Sequence, residues 1–430
     1  MTNTIDTMTA GQREKLLLEY VERLTQGEDL ESVRADFLEN FRNVDALSIA
    51  NAEQHLILSG VPAEDVAKLC DVHSALFHGT TEQERIAAEP ANATAPGGAT
   101  GAALSGVADR KAAEAKCARL LKEPGHPLNI MDLENQALGK QIEVVRSSLT
   151  AGVNPDLLRE EVNDLRAIGN HYSKKGDIFF PMLKQRYNIT GPSDVMWTVD
   201  DEILAELRSL LRFPDKDDWN HRLEALLTRM EEMIYKETSI LYPICVQFFQ
   251  DSEWQEISRD MKGYDLCLLD SVPKWTEKDA PDYRTLHGVK EASATPDTSG
   301  EREVVFGAGH MTGFQLEAML NTIPMELTFI DDEDVNRYYN DDGKPKLFKR
   351  PLSSLDRLVY LCHPPKIEPM VRKILQQFKA GEKDEVGIWM NKAGEDVYVN
   401  YRAVRDADGT YVGALECITR MNFAKEHYNK

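Results

Sequence analysis

Basic side chains are in deficit against acidic ones in this chain. Its 430 residues carry 72 acidic against 50 basic side chains, a formal net charge of −22. A nucleic-acid surface needs a dense basic footprint that displaces counterions, so that class of partner is excluded. The one basic cluster, KPKLFKR from Lys344 to Arg350, reads as a solvated loop. No apolar run approaches the roughly 20 residues that cross a bilayer, so no membrane partner is expected. The N-terminus, MTNTIDTMTAGQREKL, lacks the basic and apolar regions of a signal peptide, and the expected compartment is the cytoplasm. The six cysteines, at positions 70, 117, 245, 267, 362 and 417, make no Cys-x-x-Cys pair, which leaves no disulfide framework. Also missing are GxGxxG after a strand, GxxxxGK[ST] and GxSxG, so neither a phosphate loop nor a nucleophile elbow is present. No catalytic residue is assigned, the chain reads as a non-enzyme, and no output domain is expected after the last predicted strand.

What is there is a soluble-globular composition, 42% hydrophobic and 28% charged, long enough for several domains. Residues 87–106 (AAEPANATAPGGATGAALSG) and 276–303 are poor in large apolar side chains and rich in Ala, Gly, Pro, Ser or Thr. Such segments bury too little apolar area to offset chain entropy and read as linkers. They divide the chain into a helical domain over 10–82, a linker over 83–114, a helical bundle over 115–275, a linker over 276–309, and a mixed domain over 310–424. In the first domain Leu16, Leu17, Tyr20, Val21 and Leu24 keep the helical period. The second holds four long amphipathic stretches, which predicts an antiparallel four-helix bundle. In the third the period changes. MELTFID and DVNRYYN read as strands, PPKIEPMVRKILQQFKAGE as a helix, and three more strands follow, separated by NKAGED and RDADGT. Val397, Val399, Tyr401 and Ala403 alternate with Tyr398, Asn400 and Arg402, so one face of that sheet can be buried and curl around a helix.

The bundle contains a local repeat. KKGDIFFPM and ETSILYPI align on Pro181 and Pro243, matching Ile178 with Ile240, Phe179 with Leu241 and Phe180 with Tyr242. Two helices with one pattern imply pseudo-two-fold symmetry, the architecture in which carboxylate-bridged di-iron proteins place a histidine and an acid on each of paired helices.

On these residues the chain resembles a family in which an N-terminal helical domain of unknown function precedes a hemerythrin-like (HHE cation-binding) domain and a C-terminal PAS domain. The motifs are REKLLLEYVERLTQGEDLESVRADF and LCDVHSALFHG, then GHPLNIMDLEN, HYSKKGDIFFPMLKQRYNITGPSDVMW and IYKETSILYP, then LCHPPK, RKILQQFKAGEKD and YRAVRDADGTYVGALE. The resemblance implies a di-iron centre, but this chain departs from the pattern. Gly176 stands where relatives carry Glu, Thr238 at the matching place in the fourth helix, Asn129 where relatives often have a second His, and Asp200-Asp201-Glu202-Ile203 where they read His-Asp-Glu-Ile. His126 and His171 remain, with Asp177, Asp200 and Glu237 as stand-ins. The expected residual metal set is His126, His171, Asp200 and Glu237, a degenerate centre. An intact iron site, one residual iron or other metal ion, and a metal-free bundle stay open. Asp200 precedes Ile203 and Leu207 at helical spacing and should face inward.

Two further groups are candidates. Cys362-His363-Pro364-Pro365 could supply a haem or metal ligand to a PAS pocket, or simply lead into the helix at Lys366; an unidentified small PAS ligand is the third option. Cys70, His73 and His78 lack a fourth zinc ligand and read as surface or core residues. The expected function is sensory or regulatory, with a protein partner and a homodimer through the PAS domain. The alternative is an iron-binding protein that senses oxygen, nitric oxide or redox state.

Overall fold

The computed structural model describes residues 115–214, 218–275, 303–392 and 394–428, together with scattered positions between 15 and 66. Contacts divide the chain into two units, Met1–Lys278 and Asp279–Lys430. Most of the region read as the N-terminal helical domain, with Cys70, His73 and His78, lies outside the described residues. Tyr20, Val33, Leu56 and Val66, which are described, are all buried.

The first unit holds the antiparallel four-helix bundle. Its first rod is α1, Pro127–Ala151. Gly125 turns the chain with φ +79°, His126 caps the helix, Pro127 takes the first helical position, and Gly152 closes it in the left-handed conformation at φ +63°. The second rod is composite: α2 (Pro155–Asp164), a 3-10 turn (Leu165–Ala167), α3 (Ile168–Lys174), a π-helical turn (Lys175–Phe179) and α4 (Phe180–Tyr187). The third rod is α5, Gly191–Arg212. The fourth joins α6 (Trp219–Lys236), a second π-helical turn (Glu237–Leu241) and α7 (Tyr242–Phe248). A further helix, α8 (Asp251–Met261), which sequence periodicity did not single out, packs on α1.

The π turns have a cause in the sequence. A proline inside a helix has no N–H to offer and its ring collides with the carbonyl four residues back. Pro181 and Pro243 each lie just after such a turn, which widens the ring so that the Phe180 N–H reaches Lys175 O and the Tyr242 N–H reaches Glu237 O. The two turns sit at matching places in the aligned repeat.

The second unit opens with a hairpin of β1 (Glu303–Phe306) and β2 (Gly309–Thr312), followed by α9 (Gly313–Thr322). β1 therefore begins inside the stretch read as linker up to residue 309. The sheet comprises β3 (Glu326–Asp331), β4 (Asn336–Tyr339), β5 (Glu385–Lys392), β6 (Glu395–Arg405) and β7 (Tyr411–Arg420), in the antiparallel order β4-β3-β7-β6-β5. α10 (Glu368–Lys379) lies across β6 and β7 and buries Val371, Ile374, Leu375 and Phe378 against Ile330 and Ala414. A final helix, α11, spans Asn422–Tyr428. Val397 and Val399 are buried, as the alternation predicted.

β7 can pair this closely with β3 because Gly413 has no side chain. Its φ is +152°, and a Cβ there would stand 2.3 Å from Ile330 O and 2.8 Å from the Phe329 ring. Gly413→Ala is expected to cost about 1–3 kcal/mol through backbone strain and the clash. Denaturant unfolding of the full chain, followed by the near-ultraviolet signal of the aromatic-rich sheet, checks this.

Candidate functional site

Ordinary helical spacing aims the polar residues of the bundle at one another. On α1, Met131, Glu134, Asn135 and Leu138 follow the i, i+3, i+4, i+7 pattern and are all buried. On the second rod, Lys174 and Lys175 stand three and four residues after His171, so they flank it on the same face. Asp200 on α5 shares its face with Ile203 and Leu207 and is 2% exposed. Glu237 opens the second π turn, fully buried.

These residues form one continuous ionic string. His171 Nδ1 lies 2.8 Å from Glu134 Oε2, and its Nε2 lies 2.8 Å from Glu237 Oε2. A carboxylate can only accept, so both ring nitrogens must donate and the ring is an imidazolium. The other oxygen of each carboxylate takes a lysine: Lys174 Nζ donates to Glu134 Oε1 at 2.5 Å, and Lys175 Nζ to Glu237 Oε1 at 2.5 Å. Lys174 also donates to the Asp265 carbonyl, at 2.9 Å, and Lys175 to Asp200 Oδ1, also at 2.9 Å. Asn135 Nδ2 donates to Glu237 Oε2 at 2.7 Å and to the Tyr242 hydroxyl at 2.8 Å, while the Cys267 N–H donates to Glu134 Oε1. Three cations, His171, Lys174 and Lys175, face three carboxylates, Glu134, Glu237 and Asp200.

Burial disfavours every one of these charges, and the partners decide which survive. Burial pushes Glu237 up, but Lys175 and then His171 outweigh it and hold the carboxyl down to about 2. Glu134 is lowered in the same way, burial being overcome by His171 and Lys174. Burial pushes His171 down, yet Glu237 and Glu134 together raise it. Asp200 is the exception: burial lifts it to about 7 against the pull of Lys175. Its Oδ2 has no hydrogen-bond partner among the described residues.

Of the four residues expected to hold a residual metal, the structure brings three together: His171, Asp200 and Glu237. His126 goes elsewhere. Its Nδ1 accepts the Leu128 N–H at the start of α1, and its ring lies 4.8 Å from both the Trp254 and Trp275 ring centres. Burial first, then Lys116 and Arg119, lower its pKa to about 4, which keeps it a neutral cap. Asp177 accepts from the Tyr264 hydroxyl instead of reaching the string. Asn129 bonds to Gly125 and Leu121 in the turn before α1, and Thr238 donates back to its own helix. A Cβ at Gly176 would meet the Trp197 indole at 3.2 Å, so the indole fills the place of the missing Glu side chain. Among the described residues, no three His, Cys, Asp or Glu side chains are grouped so as to hold a metal ion. The donors present do not fit an iron pair: His171 has no lone pair to give, and two ammonium groups lie among the carboxylates.

Glu134, Lys174 and Lys175 were not foreseen. Glu134 could have been, because it sits on the inward stripe between Met131 and Leu138. Lysines at inward positions carry a weak signal, since most lysines are surface residues.

In the second unit His363 follows a 3-10 turn, Val359–Cys362, and its Nδ1 lies 2.7 Å from Val359 O. Nδ1 therefore carries the proton. Burial lowers the pKa, which keeps the ring neutral and leaves the lone pair on Nε2. Arg350 donates to Thr328 Oγ1 at 2.6 Å and to Phe348 O at 2.7 Å, and pairs with Glu416. Burial raises the Glu416 carboxyl, but Arg350, His363 and Tyr401 outweigh it and lower it. Cys362 turns to Asn336, whose Nδ2 is 3.8 Å from its Sγ.

Two groups of the string link folding to pH with one sign. His171 is raised above its usual 6.5 in the fold, so its contribution is complete below that value and is lost as pH rises through the raised one. Asp200 titrates at about 7 when folded against 3.8 as its ordinary value, so the fold loses stability as pH rises between them. The thermal midpoint of the bundle should fall from about pH 5 to about pH 8. Asp200→Asn, which binds no proton, should flatten the part below about pH 7 in the same calorimetric series.

No curated protein matches the chain. Among solved structures, the C-terminal domain of a Streptococcus mutans protein is 36% identical over 30% of this chain and 98% of its own, with a TM-score of 0.29. A sensory box sensor histidine kinase from Vibrio cholerae is 10% identical over 25% of this chain and 89% of its own, with a TM-score of 0.20. At these TM-scores neither bears on the arrangement of the whole chain. Family comparison matches residues 17–83 to the family of unknown function DUF438, residues 126–245 to the hemerythrin HHE cation-binding domain, and residues 316–422 to a PAS domain. With all three matches in this order, the chain belongs to the three-domain family that joins a DUF438 region, a hemerythrin HHE domain and a C-terminal PAS domain.

Proposed function

We propose that this chain is a regulatory protein in which the PAS domain receives the signal and the hemerythrin-type bundle works as a scaffold that holds no iron pair. The PAS and hemerythrin domains are of sensory and binding types, which supports the sensory or regulatory role. One observation carries the reading of the bundle. Both nitrogens of His171 are committed as donors to Glu134 and Glu237, so the ring that should ligate metal is instead a cation between two carboxylates. The signal leaves by protein contact, to a protein partner or a second copy bound through the PAS domain, and the proposed compartment is the cytoplasm. No helix among the described residues is long and apolar enough to cross a membrane.

A second reading concerns the PAS domain. His363 is neutral with its lone pair on Nε2, the form that ligates haem iron or accepts a proton from a small ligand, and it stands close to the Arg350–Glu416 pair. Cys362, turned to Asn336, is not needed for this role.

Metal analysis and an absorption spectrum of the full chain, expressed with iron, test both readings. Substoichiometric iron and no oxo-bridge band are expected. Two irons per chain with an oxo-bridge band would overturn the scaffold reading. A Soret band that His363→Ala abolishes would establish haem in the PAS domain.

A further inference from the structure

We propose that the ammonium groups of Lys174 and Lys175 stand in for the two cations of the bundle centre, and that Lys175 is the residue that keeps a divalent metal ion out. This rests on the scaffold reading of the bundle and adds the device that produces it.

The pseudo-two-fold repeat supplies the first argument. Alignment on Pro181 and Pro243 pairs Lys174 with Lys236 and Lys175 with Glu237, and each of the latter two opens a π turn. These two equivalent residues meet in the core, Lys175 Nζ lying 2.5 Å from Glu237 Oε1. Two acids so placed would repel in a low-dielectric interior unless a cation lay between them. A lysine and a glutamate need none.

Coordination supplies the second. Each ammonium is held by oxygen, as a bound ion would be. Lys175 takes Asp200 Oδ1 and Glu237 Oε1, and Lys174 takes Glu134 Oε1 and the Asp265 carbonyl. Both lysine side chains are at most 1% exposed. Glu134 and Glu237 each bridge two cations, one oxygen to His171 and the other to a lysine, which is how a carboxylate spans a metal pair. The Lys175 ammonium also lies 4.1 Å from the centre of the Tyr172 ring, whose face adds to its binding.

The third argument is the oxygen left over. Asp200 is 2% exposed, yet its Oδ2 has no hydrogen-bond partner among the described residues, and the same holds for Asn135 Oδ1. Removal of the Lys175 ammonium would leave Asp200 Oδ1 and Glu237 Oε1 around one vacated position, with Asp200 Oδ2 on the same carboxyl group. Loss of that positive charge would leave the surroundings more negative, which favours a cation at that position, while His171 stays an imidazolium between Glu134 and Glu237. Carboxylate oxygen suits Mn²⁺, and Zn²⁺ also takes Asp and Glu oxygen.

The experiment uses the full chain, stripped with chelator, and titrates Zn²⁺ and Mn²⁺ into wild type, Lys175→Ala and Lys175→Gln. Calorimetric binding and thermal midpoints are read together. Wild type should bind neither ion at the bundle, and chelator should leave its midpoint unchanged. Lys175→Ala should have a lower midpoint without metal, recover much of it with metal, and bind about one ion per chain at least tenfold more tightly than wild type. If the alanine variant is unfolded when stripped, refolding on addition of metal supports the proposal. Lys175→Gln keeps a polar donor on a side chain one atom shorter, without the charge, and should behave as alanine does. Stoichiometric metal in wild type would overturn both this proposal and the scaffold reading. Variants that gain no metal affinity, while wild type stays metal-free, would overturn only the proposal.

Discussion

One imidazolium between two carboxylates organises the bundle. His171 joins Glu134 on the first rod to Glu237 on the fourth, and the lysines beside it extend the chain of charges to Asp200 on the third. All four rods therefore meet at a point where water is excluded. Each charge alone would be prohibitively costly to bury. Together they offset one another, His171, Lys174 and Lys175 facing Glu134, Glu237 and an Asp200 that burial raises to about 7, and removing one member of a buried ion pair generally costs about 3–5 kcal/mol, because its partner is left buried and uncompensated. An apolar core of the same volume could be as stable, so the string is better understood as a constraint on register: only one rotation of each rod satisfies all the partners.

The helix geometry serves that constraint. A lysine three and a lysine four residues after a histidine flank it on one face, and the π turns that follow absorb the proline that no regular helix would tolerate. The same turn recurs in the fourth rod, where it places Glu237 opposite Lys175. The bundle thus keeps the frame of a cation-binding domain while its interior charges close on one another. Trp197 reinforces the change by occupying the space beside Gly176.

The PAS domain repeats the theme on a smaller scale. Arg350, Glu416 and His363 are half-buried polar groups near a core packed by Ile330, Phe378 and Ala414. Here the charges do not close completely. Arg350 answers Glu416, whereas His363 keeps a lone pair, and that asymmetry makes this unit the better candidate for receiving a signal.

Much of the architecture was legible in the sequence. Period 3.6 in the bundle, period 2 in the sheet and the two Pro-centred segments follow from local geometry, which neighbouring residues decide among themselves. Inward placement of Asp200 was also legible, because it shares a stripe with Ile203 and Leu207. The β1–β2 hairpin and α8 were missed; the hairpin strands are short and exposed, while α8 is short and marks its inner face with only Trp254, Ile257 and Met261 among large apolar residues. The sequence also showed where the chain departs from the pattern it resembles, at Gly176, Thr238 and Asn129. It did not reveal which side chains meet at the bundle centre. His126 and His171 look alike as letters, yet one caps a helix between two tryptophans and the other bridges two acids. The partners of Lys174 and Lys175 come from segments 25 to 91 residues away in the chain. Whether a charge is a ligand, a counter-ion or a cap depends on which oxygen faces it, and only the packing of distant helices decides that.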